Sequence, residues 1–469
     1  MSGGLRSISR KERLGARRWD ALILGSGIPA LVAATRLGMA GHRVLVAEED
    51  RTRTVFPGLR EPFFLAGARD HGLLDTCLRE LTLPLIERRR IENEHLSLQV
   101  IAPDLRLDVA DPGITAQEFV AWGVAKPDVA TGIVRALLEA AGAERRAMIA
   151  APVVRMGRRL TRSRPGTQGS HVRGLPAEAA QPPEAVAPIL AAEVRALSNL
   201  GDTIPSPEAR ARLLGSLLAG GAGFGADPPW LSGLLRHRAE SVHVEFRSLL
   251  GSFEIVENEG EPGLLAEGGP LWLGRSLVIA TPDTSLARII ETDAWPNFLD
   301  PSRTARRRLA LHLRCKTAAL PEGMGRRLVL SEDPESPDGL GHVTLSLYAS
   351  AESATSVEVV ARAVLPGDPL RAQEDELLAC EDRIEARVRT LITGAGKKLT
   401  RRTLKRPLWD DDDWLEDPPP GQGWPAEIDL RVNAKPPVYR LDRARIAGLG
   451  LEGDLLLGWR GGDAIAAEL

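Results

Sequence analysis

The first apolar pattern along the chain predicts a strand, a helix and a second strand near its start. Residues 21–24 are a short apolar run, a Gly- and Pro-containing turn follows, and a helix-forming stretch ends at Gly41. Residues 43–47, which are apolar after Arg43, form the second strand-like run. Short apolar runs bounded by glycines are typical of strands buried in a parallel sheet. The spacing therefore predicts a βαβ unit.

Beyond this unit, helical and alternating patterns divide the chain into two kinds of region. Helical spacing of apolar residues covers 65–83, 116–143, 191–218, 231–241, 284–290 and 372–393. Strand-like runs cover 95–109, 242–246, 253–256, 271–280, 309–313, 327–330, 342–347 and 356–365. The later strand runs followed by one long helix favour an antiparallel sheet with a helix on it, as in an α+β domain.

Three segments are predicted to be irregular, and the tail is predicted to be mixed. Residues 160–190 are rich in Pro, Gly, Ser and Ala, and residues 220–230 form a Gly/Pro turn. The acidic cluster at 409–417 lacks the ligand spacing of a calcium loop, so we interpret it as a solvated loop. Residues 454–469 are predicted to form a strand, a glycine turn at Gly461–Gly462 and the start of a helix.

These patterns predict a discontinuous domain organisation. Residues 19–110, 220–292 and 441–469 are assigned to a dinucleotide-binding domain. Residues 111–219 and 293–440 are assigned to a substrate or cap domain. Residues 1–18 are basic, lack an apolar core and are predicted to be a disordered leader, with an organelle transit peptide as the alternative.

Composition narrows the function classes. The 469 residues carry a net charge of −3, which argues against nucleic-acid binding. The three cysteines have no metal-ligand or disulfide spacing, which favours a reducing cytoplasm. No apolar run reaches the ~18 residues of a membrane span. Peripheral membrane contact and the oligomeric state stay open.

The turn in the βαβ unit carries the most specific chemistry. It reads Gly25-Ser26-Gly27-Ile28-Pro29-Ala30. In such an elbow the first glycine permits the turn, the second lets the backbone approach a pyrophosphate, and the small third residue allows the helix to pack. The phosphates lie at the helix N-terminus, where unpaired N–H groups favour negative charge. Glu48, with Glu49 beside it, stands about 20 residues further on, where an acid binds the adenosine ribose.

The order of these parts resembles the FAD-dependent oxidoreductases that include phytoene desaturases, protoporphyrinogen oxidase and flavin amine oxidases. Residues 20–48 are similar to that family's FAD fingerprint, 231–282 to its middle strand ending in Ala-Thr-Pro, and 455–467 to its C-terminal glycine turn. The resemblance implies an α/β fold in which a Rossmann-like FAD/NAD(P)-binding domain carries a second α+β substrate domain with an antiparallel sheet.

The resemblance also implies roles for individual residues. Gly25, Gly27 and Ala30 would hold the FAD pyrophosphate, and Glu48 the ribose. Backbone at Leu249 or Leu250 would pack on adenine, and Gly461 with Gly462 would face the ribityl chain or the flavin.

Two stretches depart from the family pattern. Its Gly-Gly pair after the ribose acid is replaced by residues 51–56, where Arg51 or Arg53 would supply charge to the phosphates instead. In place of its C-terminal Gly-Asp pair, Gly458 is followed by Trp459, and the next acid is Asp463.

The sequence therefore predicts an FAD-dependent oxidoreductase that oxidises or desaturates a small, apolar organic substrate; the apolar substrate is implied by the resemblance alone. No side chain is nominated as catalytic, and no metal site is predicted. One alternative is a non-catalytic binding protein on a degenerate flavoprotein scaffold, as in the Rab GDP-dissociation inhibitors. Another is an NAD-dependent dehydrogenase, since the charge of Glu48 would repel a 2′-phosphate.

Overall fold

The computed structural model describes most, but not all, of the chain. The described residues are 5–49, 61–68, 72–150, 154–155, 184–198, 207–224, 230–249, 252–266, 269–281, 286, 290, 296, 306–332, 341–350, 352–365, 374–392, 398–402, 408–415, 428–441 and 449–469.

The helices and strands alternate first and then separate into runs. The helices are α1 (Arg10–Leu14), α2 (Ile28–Met39), α3 (Leu73–Glu80), α4 (Leu85–Arg88), α5 (Pro112–Ala121), α6 (Pro127–Ala150), α7 (Ala187–Leu197), α8 (Pro207–Leu218), α9 (Leu231–Ser241), α10 (Glu374–Leu391) and α11 (Leu451–Ala466). The strands are β1 (Arg6–Ser7), β2 (Arg17–Leu24), β3 (Val44–Glu49), β4 (Ile91–Glu94), β5 (Leu98–Ala102), β6 (Leu105–Val109), β7 (Val154–Arg155), β8 (Gly221–Phe224), β9 (Glu245–Leu249), β10 (Phe253–Asn258), β11 (Glu261–Ala266), β12 (Leu271–Ile279), β13 (Arg306–Lys316), β14 (Arg327–Ser331), β15 (His342–Ala349), β16 (Ser356–Val364), β17 (Thr400–Arg401), β18 (Leu408–Leu415), β19 (Ile428–Asp429), β20 (Arg431–Asn433) and β21 (Val438–Arg440).

The first sheet contains the predicted βαβ unit. Its order is β1-β10-β11-β12-β2-β3-β9, and β21 also pairs with β12. The pairs β12–β2, β2–β3, β3–β9 and β12–β21 are parallel, whereas β10–β11–β12 is an antiparallel meander. Helices α9 and α11 both pack on α2, which crosses from β2 to β3. The βαβ prediction is therefore confirmed.

The second sheet is mostly antiparallel, as predicted. Its order is β17-β13-β16-β15-β14-β5-β6, with β18 also paired to β13. Helix α10 packs on one face, over apolar side chains such as Leu311, Leu345 and Ala361. Helix α7 contacts β5, β14 and β15 of the same sheet. Helices α5 to α8 form an apolar cluster of their own with β5 and β6.

Several predictions about boundaries are wrong. The basic leader is ordered from Leu5 onward: β1 pairs with β10, and α1 begins with a capping box between Ser9 and Glu12. Strands β5 and β6 join the second sheet rather than the dinucleotide-binding region, and β20 and β21 join the first sheet rather than the second. In both cases the partner strand is distant in sequence, so no local pattern could assign it.

Local assignments also differ where pairing overrides composition. The acidic segment expected to be a solvated loop is strand β18. The Gly/Pro turn expected at 220–230 contains strand β8, which pairs with β4. The predicted helix at 65–83 is confined to α3, the stretch 116–143 is two helices, and α7 begins inside the loop predicted for 160–190. Residues 156–183 and most of the helix predicted at 284–290 lie outside the described residues.

Candidate functional site

The glycine elbow lies between the end of β2 and the start of α2. Gly25 has φ +107°, and a Cβ there would lie 2.4 Å from the Thr281 side-chain oxygen, so the position requires glycine. Gly27 is the N-cap of α2 and has no side chain with which to cap this helix end. Ala30 is completely buried beneath the first turn. The first N–H groups of α2 are therefore available to a ligand.

A second helix N-terminus borders the same space. Helix α11 begins after Gly450, whose φ is +56°, and a Cβ there would lie 2.5 Å from the Leu197 carbonyl oxygen. Gly450, the N-cap residue, likewise has no side chain with which to cap this end. Because both helix ends carry partial positive charge, their convergence favours an anionic ligand.

A cavity of about 250 Å³ lies between these two helix ends, and we call it the cofactor cavity. It extends from the elbow to the loops and helices on either side. Its lining includes Ser26, Gly27, Ile28, Pro29, Glu48, Glu61, Pro62, Phe63, Phe64, Ser198, Arg236, Arg308, Leu441, Leu449, Gly450, Leu451, Glu452 and Asp454.

Glu48 lines this cavity at the end of β3, as the ribose-binding hypothesis requires. Its carboxylate accepts a hydrogen bond from Arg236 on α9. The Arg236 guanidinium lies 4.1 Å from the centre of the Phe246 ring and also donates to Glu240, 3.0 Å away. Burial lowers the pKa of Arg236, but the bonds to Glu48 and Glu240 outweigh it and raise the pKa. Sequence analysis missed this arginine.

Glu61 fixes the opposite wall. Its carboxylate accepts from the Leu231 N–H at 2.9 Å and from the Ser232 N–H and hydroxyl at 3.2 and 2.7 Å. It thereby caps the N-terminus of α9. Burial raises the pKa of Glu61, against the effect of these hydrogen bonds. The end of α9 is thus capped by a side chain from another segment, whereas the N-cap residues of α2 and α11, Gly27 and Gly450, have no side chain.

Two further acids lie in the first turn of α11. Glu452 and Asp454 are buried and line the cofactor cavity. Gly453 and Asp454 form a Gly-Asp pair, the element that sequence analysis finds missing after Gly458. The signal is present in the sequence, but the run Leu455 to Leu457 favours a strand by its pattern and is a helix in the structure.

The predicted roles of Gly461 and Gly462 depend on a glycine turn, and that prediction is wrong. Both lie inside α11, not in a turn. A Cβ at Gly462 would lie 3.0 Å from Ala33 Cα on α2, and one at Gly461 would lie 2.7 Å from the Leu441 side chain. These glycines permit close helix packing and do not line the cofactor cavity.

The remaining predicted site residues divide into two groups. Leu249, expected near adenine, is buried in the core and is not part of the cavity lining. Arg51, Arg53 and Leu250 lie outside the described residues, as does the side chain of Glu49.

Within the part of the chain that the structure describes, no group of three or more His, Cys, Asp or Glu residues is arranged to hold a metal ion. No described helix is both long enough and apolar enough to cross a bilayer.

Comparison with solved structures identifies the fold. An oxidoreductase from Methanosarcina mazei superposes with a TM-score of 0.55 at 13% identity, over 95% of this chain and 99% of the other. A putrescine oxidase double mutant, made to redesign cofactor binding, superposes with a TM-score of 0.52 at 13% identity, over 96% and 100%. No family model and no curated protein matches the sequence. The chain has the fold of these oxidoreductases, so the resemblance to the flavin amine oxidases is confirmed in the fold.

Proposed function

We propose that this chain is an FAD-dependent oxidoreductase that acts on a small organic molecule. One observation carries the proposal: the N-termini of α2 and α11, whose N-cap residues Gly27 and Gly450 have no side chain, border a single cavity. Buried helix ends need partners for their N–H groups, and a diphosphate supplies them with matching charge. Ser26, Gly27 and Ile28 of the elbow line this cavity.

The described residues fit the rest of the cofactor. The N–H groups at Gly27 and Ile28 would hold the diphosphate, and Glu48 would accept from the hydroxyls of the adenosine ribose. Asp454 would accept from the ribityl hydroxyls, because a carboxylate is only an acceptor and suits a polyol better than a phosphate. When bound, FAD supplies hydride or electron transfer. The protein contributes orientation and, through Phe63, Phe64 and neighbouring leucines, exclusion of water.

The proposal is tested by flavin retention in two glycine variants. Gly27→Glu places bulk and negative charge beside the diphosphate site, so the purified variant should lose the near-ultraviolet and blue absorbance of bound flavin. Gly132→Glu is the control, because a Cβ at Gly132, within α6, meets no atom within 4 Å. The control should stay yellow. Flavin retained by Gly27→Glu would show that this site is wrong.

The same preparations separate the two alternatives. A colourless protein that is thermally stabilised by NAD but not by FAD would favour an NAD-dependent dehydrogenase. A protein stabilised by neither would favour a non-catalytic binding protein on this scaffold.

A further inference from the structure

A second cavity of about 340 Å³ adjoins the cofactor cavity. Glu61, Pro62 and Phe63 line both, so a single segment separates them. The other side of this second cavity is formed by β14, β15 and β16 of the antiparallel sheet. A ligand here would lie next to the cofactor cavity.

Most of the second cavity is apolar and aromatic. Its lining includes Phe63, Phe224, Trp230, Tyr348, Leu320 and Met324. The Trp230 and Tyr348 rings are 5.7 Å apart and inclined at 46°, the tilted arrangement that aromatic pairs favour. Such walls bind a flat or chain-like hydrocarbon body through burial of its surface.

The charged residues that line the second cavity are two arginines, Arg326 and Arg327, and two acids, Glu61 and Glu94. Glu94 forms an ion pair with Arg327, whose side chain is 10% exposed and also donates to the Ala222 carbonyl oxygen. Arg326 lies 3.7 Å from the other Glu94 oxygen, which is beyond hydrogen-bond distance, and its side chain is 57% exposed. Two guanidinium groups thus face one carboxylate.

Arg326 retains capacity to bind an anion. Its one hydrogen bond within the described part of the chain is a donation to the Phe224 carbonyl oxygen at 3.3 Å. A guanidinium has five N–H donors in a planar fork that matches a carboxylate. The remaining acid of the lining, Glu61, is directed at the N-terminus of α9 and does not compensate this charge.

We infer that the second cavity binds a small apolar or aromatic molecule that carries a carboxylate, with its anionic group at Arg326 and its body between Phe63, Trp230 and Tyr348. That this molecule is the substrate rests on the proposed function; that it binds does not. The sequence predicts only an apolar substrate, and the inference adds a carboxylate to it.

Isothermal titration calorimetry of the full-length protein tests the inference with three probes. Phenylbutyrate, phenylbutanol and phenylbutylamine have similar hydrocarbon chains and differ in the terminal polar group. Phenylbutyrate should bind about tenfold more tightly than phenylbutanol, the gain of a charge-assisted hydrogen bond. The amine should bind most weakly. Equal affinities, tightest binding of the amine, or no binding of any probe would overturn the inference.

Two variants locate the binding. Arg326→Gln should abolish the preference for phenylbutyrate and leave phenylbutanol affinity unchanged. Arg247→Gln is its matched control, because Arg247 lies on β9 outside both cavities and is 51% exposed. Trp230→Ala should weaken all three probes alike. A preference that survives Arg326→Gln would assign the charge selection to another residue and contradict the inference.

Flavin absorbance recorded on the same samples separates this result from the proposed function. Protein without flavin that still prefers phenylbutyrate would contradict the proposed function and support the cavity assignment. Yellow protein that does not prefer phenylbutyrate would support the proposed function and contradict the cavity assignment.

Discussion

The two sheets of this molecule differ in the side chains that their buried faces carry. In the first sheet, both faces of the central strands are apolar: Leu22 and Leu24 face one core, Ala21 and Ile23 the other, and all four are completely buried. In the second sheet, one face is apolar under α10, but the other carries polar and charged side chains that are also buried. They are Arg308, His312, Thr344, Ser346, Glu358 and Arg362.

Five of these buried polar residues, Arg308, His312, Ser346, Glu358 and Arg362, are paired with one another or with backbone. His312 Nε2 and Glu358 are 2.7 Å apart, and Glu358 also accepts from Arg314 Nε and from the Ser350 hydroxyl at 2.7 Å each. Arg308 donates to the Arg195 and Ser198 carbonyl oxygens at the end of α7. Buried charges are tolerated only when they are paired in this way.

The directions in which the pKa values of His312 and Glu358 are shifted agree with a buried, paired network. Burial lowers the pKa of His312, against the effect of Glu358. Burial would raise the pKa of Glu358, but its hydrogen bonds from Arg314, Ser350 and His312 hold it below the usual value. The comparison teaches that alternating polar positions in a strand do not by themselves mean a solvent-facing surface.

The largest expected effect comes from removing the centre of this network. Glu358→Ala leaves His312 and Arg314 without their carboxylate and should lower the free energy of unfolding by about 3–5 kcal/mol. Because the folded-state pKa of Glu358 is lowered, its contribution is present above the unfolded pKa and lost as pH falls through the folded one. The difference in unfolding free energy between wild type and variant, measured by denaturant titration, should therefore be largest near pH 7 and shrink as the pH falls. A loss below ~1 kcal/mol at pH 7 would mean that the network contributes little.

The matched change in the apolar sheet is Leu22→Ala. Removal of a buried leucine side chain should cost about 2–5 kcal/mol through lost burial and a residual cavity. No titrating group is involved, so the difference from wild type should be the same at every pH where both fold. A strong pH dependence of this difference would remove the contrast between the two sheets.

Glu193 on α7, beside the second sheet, sharpens the comparison. Its Oε1 is buried with no hydrogen-bond partner among the described residues, and burial raises the pKa of Glu193 to about 8. A carboxyl with a raised folded-state pKa keeps its proton longer in the native state. Stability is therefore full below the unfolded pKa and falls as pH rises toward about 8, by roughly 1.4 kcal/mol per pH unit.

Glu193→Gln removes this titration. Between about pH 5 and about pH 8, the unfolding free energy of the variant should vary less than that of wild type, and near pH 8 the variant should be the more stable of the two. Glu92→Gln on the exposed side of β4 is the control and should keep the wild-type profile. Identical profiles for wild type and Glu193→Gln would show that Glu193 is paired in solution.

The smallest effect is expected where a charged pair lies against the apolar sheet, at Glu48 and Arg236. Arg236→Gln should weaken FAD binding about tenfold, because Glu48 loses the partner that holds its carboxylate at the cavity. The unfolding temperature of the flavin-free protein should change little. Arg238→Gln, on the same helix but bonded to the Leu81 carbonyl oxygen, is the control. Unchanged FAD affinity in Arg236→Gln would show that Glu48 needs no such partner.

The site was predictable where its chemistry is local. The elbow from Gly25 to Ala30 and the position of Glu48 follow from one contiguous βαβ unit, and the structure puts Ser26, Gly27 and Glu48 on one cavity. The sequence pattern does not reveal Asp454 because α11 is buried around most of its surface: Leu455, Leu456 and Leu457 are all completely buried. A helix that is buried on most sides shows no clear 3.6-residue period of apolar residues. The glycines of α11 therefore suggest a turn when only the sequence is considered.

The sequence by itself determined the βαβ unit, the antiparallel strands and the long helix α10, because each depends on neighbours a few residues away. Only the tertiary structure decided that β5 belongs with β14, that Arg236 reaches Glu48, and that the polar face of the second sheet is buried. The physical reason is that these contacts join segments far apart in the chain. Their energies come from desolvation and pairing, which exist only once the layers have packed.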